Sequence, residues 1–109
     1  MKIQNEIKDI YIECEKIHNG LIKEIGAMQF SVLIAIASFC NQFNESIISQ
    51  RDIAKITGLS LPTVNKAINN LLDSKIGNIP IIKRRLINNG GTKKTSVYLL
   101  NTNIIKVVR

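Results

Sequence analysis

The chain is 109 residues long, which suits one small domain and leaves little room for a second. Hydrophobic residues make up 45% and charged ones 21%, so a core can be buried and a disordered tail is excluded. Fifteen Lys and Arg against eight Asp and Glu give a net charge of +7, which points to a polyanionic partner, nucleic acid before an anionic membrane.

The residues that could carry other chemistry are few. His18 is the single histidine, and there is no Trp. Cys14 and Cys40 form no CxxC pair and lack a second pair to complete a zinc site. Both sit among apolar neighbours and read as core filler, with a lone disulfide left open because spacing alone gives no distance. The opening residues carry Lys2, Glu6, Lys8, Asp9, Glu13 and Glu15, unlike a signal peptide. The most apolar run, residues 27–40, falls short of the roughly 20 residues of a membrane span. A soluble, cytoplasmic protein is expected.

Charge divides the chain. Residues 1–45 hold four basic and six acidic residues, whereas residues 46–109 hold eleven basic and two acidic. The C-terminal part is therefore the part suited to a polyanion.

In chain order, Ile3, Ile7, Ile10, Cys14 and Ile17 recur at helical spacing and predict a helix, although the alternation over residues 10–14 also permits a strand. Asn19-Gly20 is a break, and Leu21, Ile22 and Ile25 mark a short amphipathic piece. After Gly26, residues 27–41 are apolar on nearly every face and predict a buried central helix. Residues 46–48 can form a short strand. Ser49 with Asp52 makes a capping-box pattern, so a helix starts near Gln50, and Gly58 stops it. Ser60 is the next N-cap, with Pro62 in the first turn. Val64, Ala67, Ile68, Leu71 and Leu72 then form one stripe, leaving Thr63, Asn65, Lys66, Asn69, Asn70 and Asp73 outside. Gly77 and Pro80 close this helix. Residues 81–87 and 95–100 read as strands around Asn88-Asn89-Gly90-Gly91, a hairpin turn.

Residues 50–70, from Gln50-Arg51-Asp52-Ile53-Ala54 through Gly58 to Asn70, resemble a helix-turn-helix DNA-binding motif. Ala54 is small where a second helix crosses, Gly58 makes the turn, and Ile53, Leu59, Val64 and Ala67 pack the helices together. Thr57 departs from the pattern, standing where the family more often has an apolar residue. The order helix, short strand, two helices, basic hairpin is similar to the winged version, over residues 27 to about 100. The resemblance implies an α+β fold, with a helical core and a small antiparallel β-hairpin wing. Residues 1–26 are expected to be an arm or helix packing on the domain or on a dimer partner, and residues 27–109 the DNA-binding domain.

By that resemblance the second helix reads base edges in the major groove, through Ser60, Leu61, Thr63, Asn65, Lys66, Asn69 and Asn70. Asn can pair bidentately with adenine, and Lys can reach guanine. A solvated helix face is the alternative for Asn69 and Asn70. Arg51 and Lys55 are placed to meet phosphate from the first helix, or to serve as plain surface. The recognition helix is poor in cations, with Lys66 and the distal Lys75, and Asp73 offsetting one of them. The hairpin carries Lys83, Arg84, Arg85, Lys93 and Lys94, so affinity is expected to concentrate there. Alternation puts Arg84 on the opposite face from Lys83 and Arg85, and the face that meets DNA is left open.

Ile, Asn and Lys supply 44 of the 109 residues, all from AT-rich codons, which suggests an AT-rich genome and an AT-rich double-stranded DNA target. No HExxH, Walker loop or GxSxG occurs, so no enzyme, cofactor, metal or small-molecule ligand is expected. The chain also resembles, more loosely, plasmid and phage initiator and accessory DNA-binding proteins, through the run at residues 21–39 that enters the winged helix. That resemblance implies marking an origin of replication or transfer. A small transcriptional repressor and a winged-helix protein-interaction module are the alternatives; an interaction wing would not need five cations. A homodimer through Ile3, Ile7, Ile10 and Cys14 is open, with packing against the chain's own domain preferred.

Overall fold

The computed structural model describes residues 9–88, 90–91 and 94–108. Two helices joined by a three-residue turn lie at its centre. Ser49 has extended backbone, and its Oγ accepts from the Asp52 N–H at 3.1 Å, which starts α4 (Gln50–Thr57). Gly58 ends α4 at φ +76°, and its N–H donates to the Ala54 carbonyl at 2.9 Å. Ser60 then accepts from the Thr63 N–H at 3.3 Å and opens α5 (Leu61–Asp73), with Pro62 in the first turn.

The structure also explains Thr57. Its Oγ1 donates to the Ile53 carbonyl at 2.7 Å and accepts from the Leu59 N–H at 3.3 Å. The hydroxyl is thus consumed by the turn, where an apolar side chain would leave the Leu59 N–H without this partner.

The core lies beneath these helices. From α3 (Ala27–Ala37), Val32, Leu33, Ala35, Ile36 and Ala37 are buried, and the helix packs against both α4 and α5. Its polar residues do not interrupt this packing, because Ser31, Ser38 and Gln29 each donate to a nearby backbone carbonyl. Ile53 of α4 and Val64, Ala67, Ile68 and Leu71 of α5 complete the helical layer. Before α3, the short α1 (Cys14–His18) and α2 (Leu21–Ile25) lead in, and Leu21 and Ile25 join the same core.

A three-stranded antiparallel sheet closes the core in the order β2 (Glu45–Ser46), β6 (Lys94–Leu100), β5 (Ile82–Asn88). Register sets its faces. Ile82 opposes Leu100 and Arg84 opposes Tyr98, so these four share the face that packs on the helices. Lys83, Arg85 and Ile87, opposite Leu99, Val97 and Thr95, share the other.

Three expectations need correction. The N-terminal stripe does not form one helix. Asp9–Tyr11 is a strand, β1, antiparallel to β7 (Lys106–Val108), and helix occurs only at Cys14–His18. Ile10 opposes Val107, and both pack on the core while Asp9 and Tyr11 face outward. The alternation is satisfied by a partner strand almost a hundred residues away, which outweighs the local helical spacing. Ile3 and Ile7 lie outside the described residues.

Cys14, read as core filler, is exposed. Only Cys40 is buried, both thiols are free, and burial pushes the Cys40 thiol up to about 12. Finally, α5 ends at Asp73, ahead of Gly77 and Pro80. Residues 75–80 instead make a small hairpin, β3 (Lys75–Ile76) against β4 (Ile79–Pro80), around Gly77 and Asn78. Both turn residues have positive φ, as a tight two-residue hairpin turn requires. With these changes the architecture is the expected α+β winged-helix arrangement.

The turn and the core should respond differently to substitution. A Cβ at Gly58 would meet nothing within 4 Å, so Gly58→Ala costs only the left-handed backbone, about 1–2 kcal/mol. Ile53→Ala empties a fully buried site and should cost about 2–5 kcal/mol. Urea unfolding of the two variants checks this ranking.

Candidate nucleic-acid interface

The buried stripe of α5 dictates what its other face presents. With Val64, Ala67, Ile68 and Leu71 turned inward, Asn65, Lys66, Asn69 and Asn70 are exposed. Ser60 is exposed and Thr63 half-buried; both belong to the cap, with their hydroxyl oxygens 2.8 Å apart. Leu61, also exposed, presents an apolar side chain at the same end.

Amides run along this face in a chain. Asn69 Nδ2 donates to Asn65 Oδ1 at 3.4 Å, one helical turn away. Asn65 Nδ2 in turn donates to Gln50 Oε1 at 3.3 Å, joining α5 to the first residue of α4. Gln50 was not among the sequence-predicted site residues. Only the crossing of α4 over α5 brings it there, and no spacing rule within one helix reveals that. Arg51 and Lys55 stand exposed on α4.

The wing sorts its cations by face. Arg84 lies on the helix-facing side with Leu86, Asn88 and, across the ladder, Lys94 and Ser96. Arg84 and Lys94 are exposed, and Leu86 between them is 55% exposed. Leu86 is a second residue the sequence reading passed over; its signal was the apolar side chain in alternation with Arg84 and Asn88. Lys83 and Arg85 lie on the other side, so the two faces are not equivalent. Lys93 lies outside the described residues.

Arg85 already has a partner. It is hydrogen-bonded and ion-paired to Glu45 of β2, reaching past β6 to do so. Asn41 prepares the carboxylate, accepting at Oδ1 from the Phe43 and Glu45 N–H groups and donating from Nδ2 to Glu45 Oε1 at 3.4 Å. The hydrogen bond from Arg85 first, then that from Asn41, holds the Glu45 carboxyl below its usual range. Between the wing and the start of α4 lies an open cleft of about 480 Å³, rimmed by Ser49, Gln50, Asp52, Lys94, Thr95 and Ser96. Gln50, which is hydrogen-bonded to Asn65 of α5, and Lys94 of the wing both line it.

Residues 23–76 match the family model of a helix-turn-helix domain. The chain carries a helix-turn-helix domain. No curated protein and no solved structure matches it. The matched helix-turn-helix residues run from α2 through α5 and stop at Ile76, so β5 and β6 add the wing beyond them. A helix-turn-helix domain points to DNA as the partner. Among the described residues, no group of three or more His, Cys, Asp or Glu could hold a metal ion. No helix among them is long and apolar enough to cross a membrane.

The Glu45–Arg85 pair predicts a pH dependence. A carboxyl whose folded pKa is depressed adds stability above its unfolded pKa and loses it as pH falls through the folded one. The advantage of the wild type over Glu45→Gln should therefore be present at about pH 7 and smaller at about pH 3, as the carboxyl takes up its proton. Urea midpoints of both proteins at the two pH values check this.

Proposed function

We propose that the chain is a sequence-specific double-stranded DNA-binding protein. In this reading α5 enters the major groove with its amide face, and the helix-facing side of the wing lies on the adjoining backbone. One observation carries it: Gln50, which is hydrogen-bonded to the exposed amide of Asn65 on α5, and Lys94 of the wing, which shares a sheet face with the exposed Arg84, line one cleft. Uncharged amides discriminate bases, and wing cations supply the salt-dependent affinity. Thr63, Lys66 and Asn70 extend the base-reading face, and Arg51 adds a phosphate contact from α4.

Arg84 is the main phosphate ligand of the wing, because Glu45 already compensates the charge of Arg85. Leu86 suits the apolar wall of a minor groove, and AT-rich DNA offers the narrow groove that favours an inserted Arg. The function is binding rather than catalysis. The further role proposed is marking an origin of replication or transfer of a plasmid or phage; it is supported by the looser family likeness of residues 21–39.

Salt dependence separates the contributions. Each phosphate contact that is lost should lower the slope of log affinity against log salt by about 1. Arg84→Ala and Lys94→Ala should each do so, whereas Arg85→Ala and Lys66→Ala should change it by less than half as much. Titration of a labelled duplex across a range of salt concentrations measures this. Equal slopes for Arg84→Ala and the wild type would remove the wing from the interface.

A further inference from the structure

We propose that Gln50 is a specificity-determining positioning residue, which sets the amide of Asn69 to recognise adenine; the inference rests on the DNA-binding reading above. An exposed Asn amide can turn end for end, so a lone Asn offers either a donor or an acceptor at a given place. In the structure one direction is set: Asn65 directs Nδ2 toward Gln50 Oε1, which accepts it. Asn65 Oδ1 then lies toward Asn69 and accepts its Nδ2. Asn69 is left with one N–H and its carbonyl oxygen, a donor beside an acceptor.

That pattern complements one base edge in the major groove. Adenine shows the N7 acceptor beside the N6 amino donor, whereas guanine shows two acceptors and demands two donors. A chain running the opposite way would leave Asn69 with two N–H groups and select guanine. Gln50 therefore acts without touching the base, by deciding which end of Asn69 faces it. Its backbone is well placed for the task, at the first position of α4 directly after the Ser49 cap, and its side chain is half-buried. The expected ligand is a duplex with an A·T pair beneath the middle of α5.

The test uses the full chain and a duplex site selected by it. Each adenine of the site is replaced in turn by 7-deazaadenine, which lacks the N7 acceptor, and by guanine. For the wild type, one adenine should show a loss of about tenfold with either replacement. In Gln50→Leu that penalty should fall to about twofold or less, with the salt slope unchanged, since no phosphate contact is removed. Gln50→Glu keeps an acceptor for Asn65 and should restore the discrimination, whatever its overall affinity. Asn65→Ala breaks the chain at its middle and should behave as Gln50→Leu does, which covers the case of either variant folding poorly. An undiminished penalty in Gln50→Leu and Asn65→Ala overturns the assignment while leaving DNA recognition intact. A wild type that selects guanine, not adenine, overturns it as well. A wild type that selects no duplex overturns both the assignment and the reading beneath it.

Discussion

The buried crossing of α4 and α5 is the constraint from which the rest of the molecule follows. Ile53 from one helix and Val64, Ala67 and Ile68 from the other fill the space between them and α3. The turn at Gly58 has only three residues and a left-handed backbone, so the angle between the helices is not free to drift. Both caps use serine, and Thr57 satisfies the turn from inside. In the proposed reading α5 delivers side chains to base edges, which needs this rigidity, because an error of an ångström misplaces a hydrogen bond. The amide chain from Gln50 to Asn69 is one product of the crossing: it joins two helices whose separation is set by apolar packing.

Electrostatics is arranged on top of this frame. The wing hairpin presents two faces, and on one of them Glu45 pairs with Arg85. Arg84 and Lys94 remain on the face shared with α5. In the proposed reading the wing cations supply affinity, and uncharged side chains that hydrogen-bond directionally supply discrimination. On that reading the same division of labour accounts for the few cations of α5.

Much of this was legible in the sequence because its signals are local. Ser49 three residues before Asp52, Ser60 before Pro62, and Gly58 between two apolar stripes mark both ends of α4 and the start of α5 within one or two residues. The wing was legible from two β runs around Asn88-Asn89-Gly90-Gly91. The features that escaped are those requiring a distant partner. Ile10 alternates with its neighbours because Val107 lies opposite, and helical spacing over the same residues misled. Gly77 and Pro80 read locally as a helix stop, although positive φ at Gly77 and Asn78 makes a hairpin turn there. The Arg85–Glu45 pair spans 40 residues and the Gln50–Asn65 bond 15, so each becomes visible only once the tertiary fold brings its members together. Cys14 was misjudged because apolar neighbours in sequence do not imply burial at the start of a short surface helix.

Selection from a random double-stranded DNA library on the purified protein at about 150 mM salt probes base reading most directly, since non-specific electrostatic binding is weakened there. Enrichment of one repeated motif containing an A·T pair, lost when Asn65 and Asn69 are both replaced by Ala, is the expected result. Recovery of all sequences alike, or no recovery by a folded protein, would contradict recognition by α5.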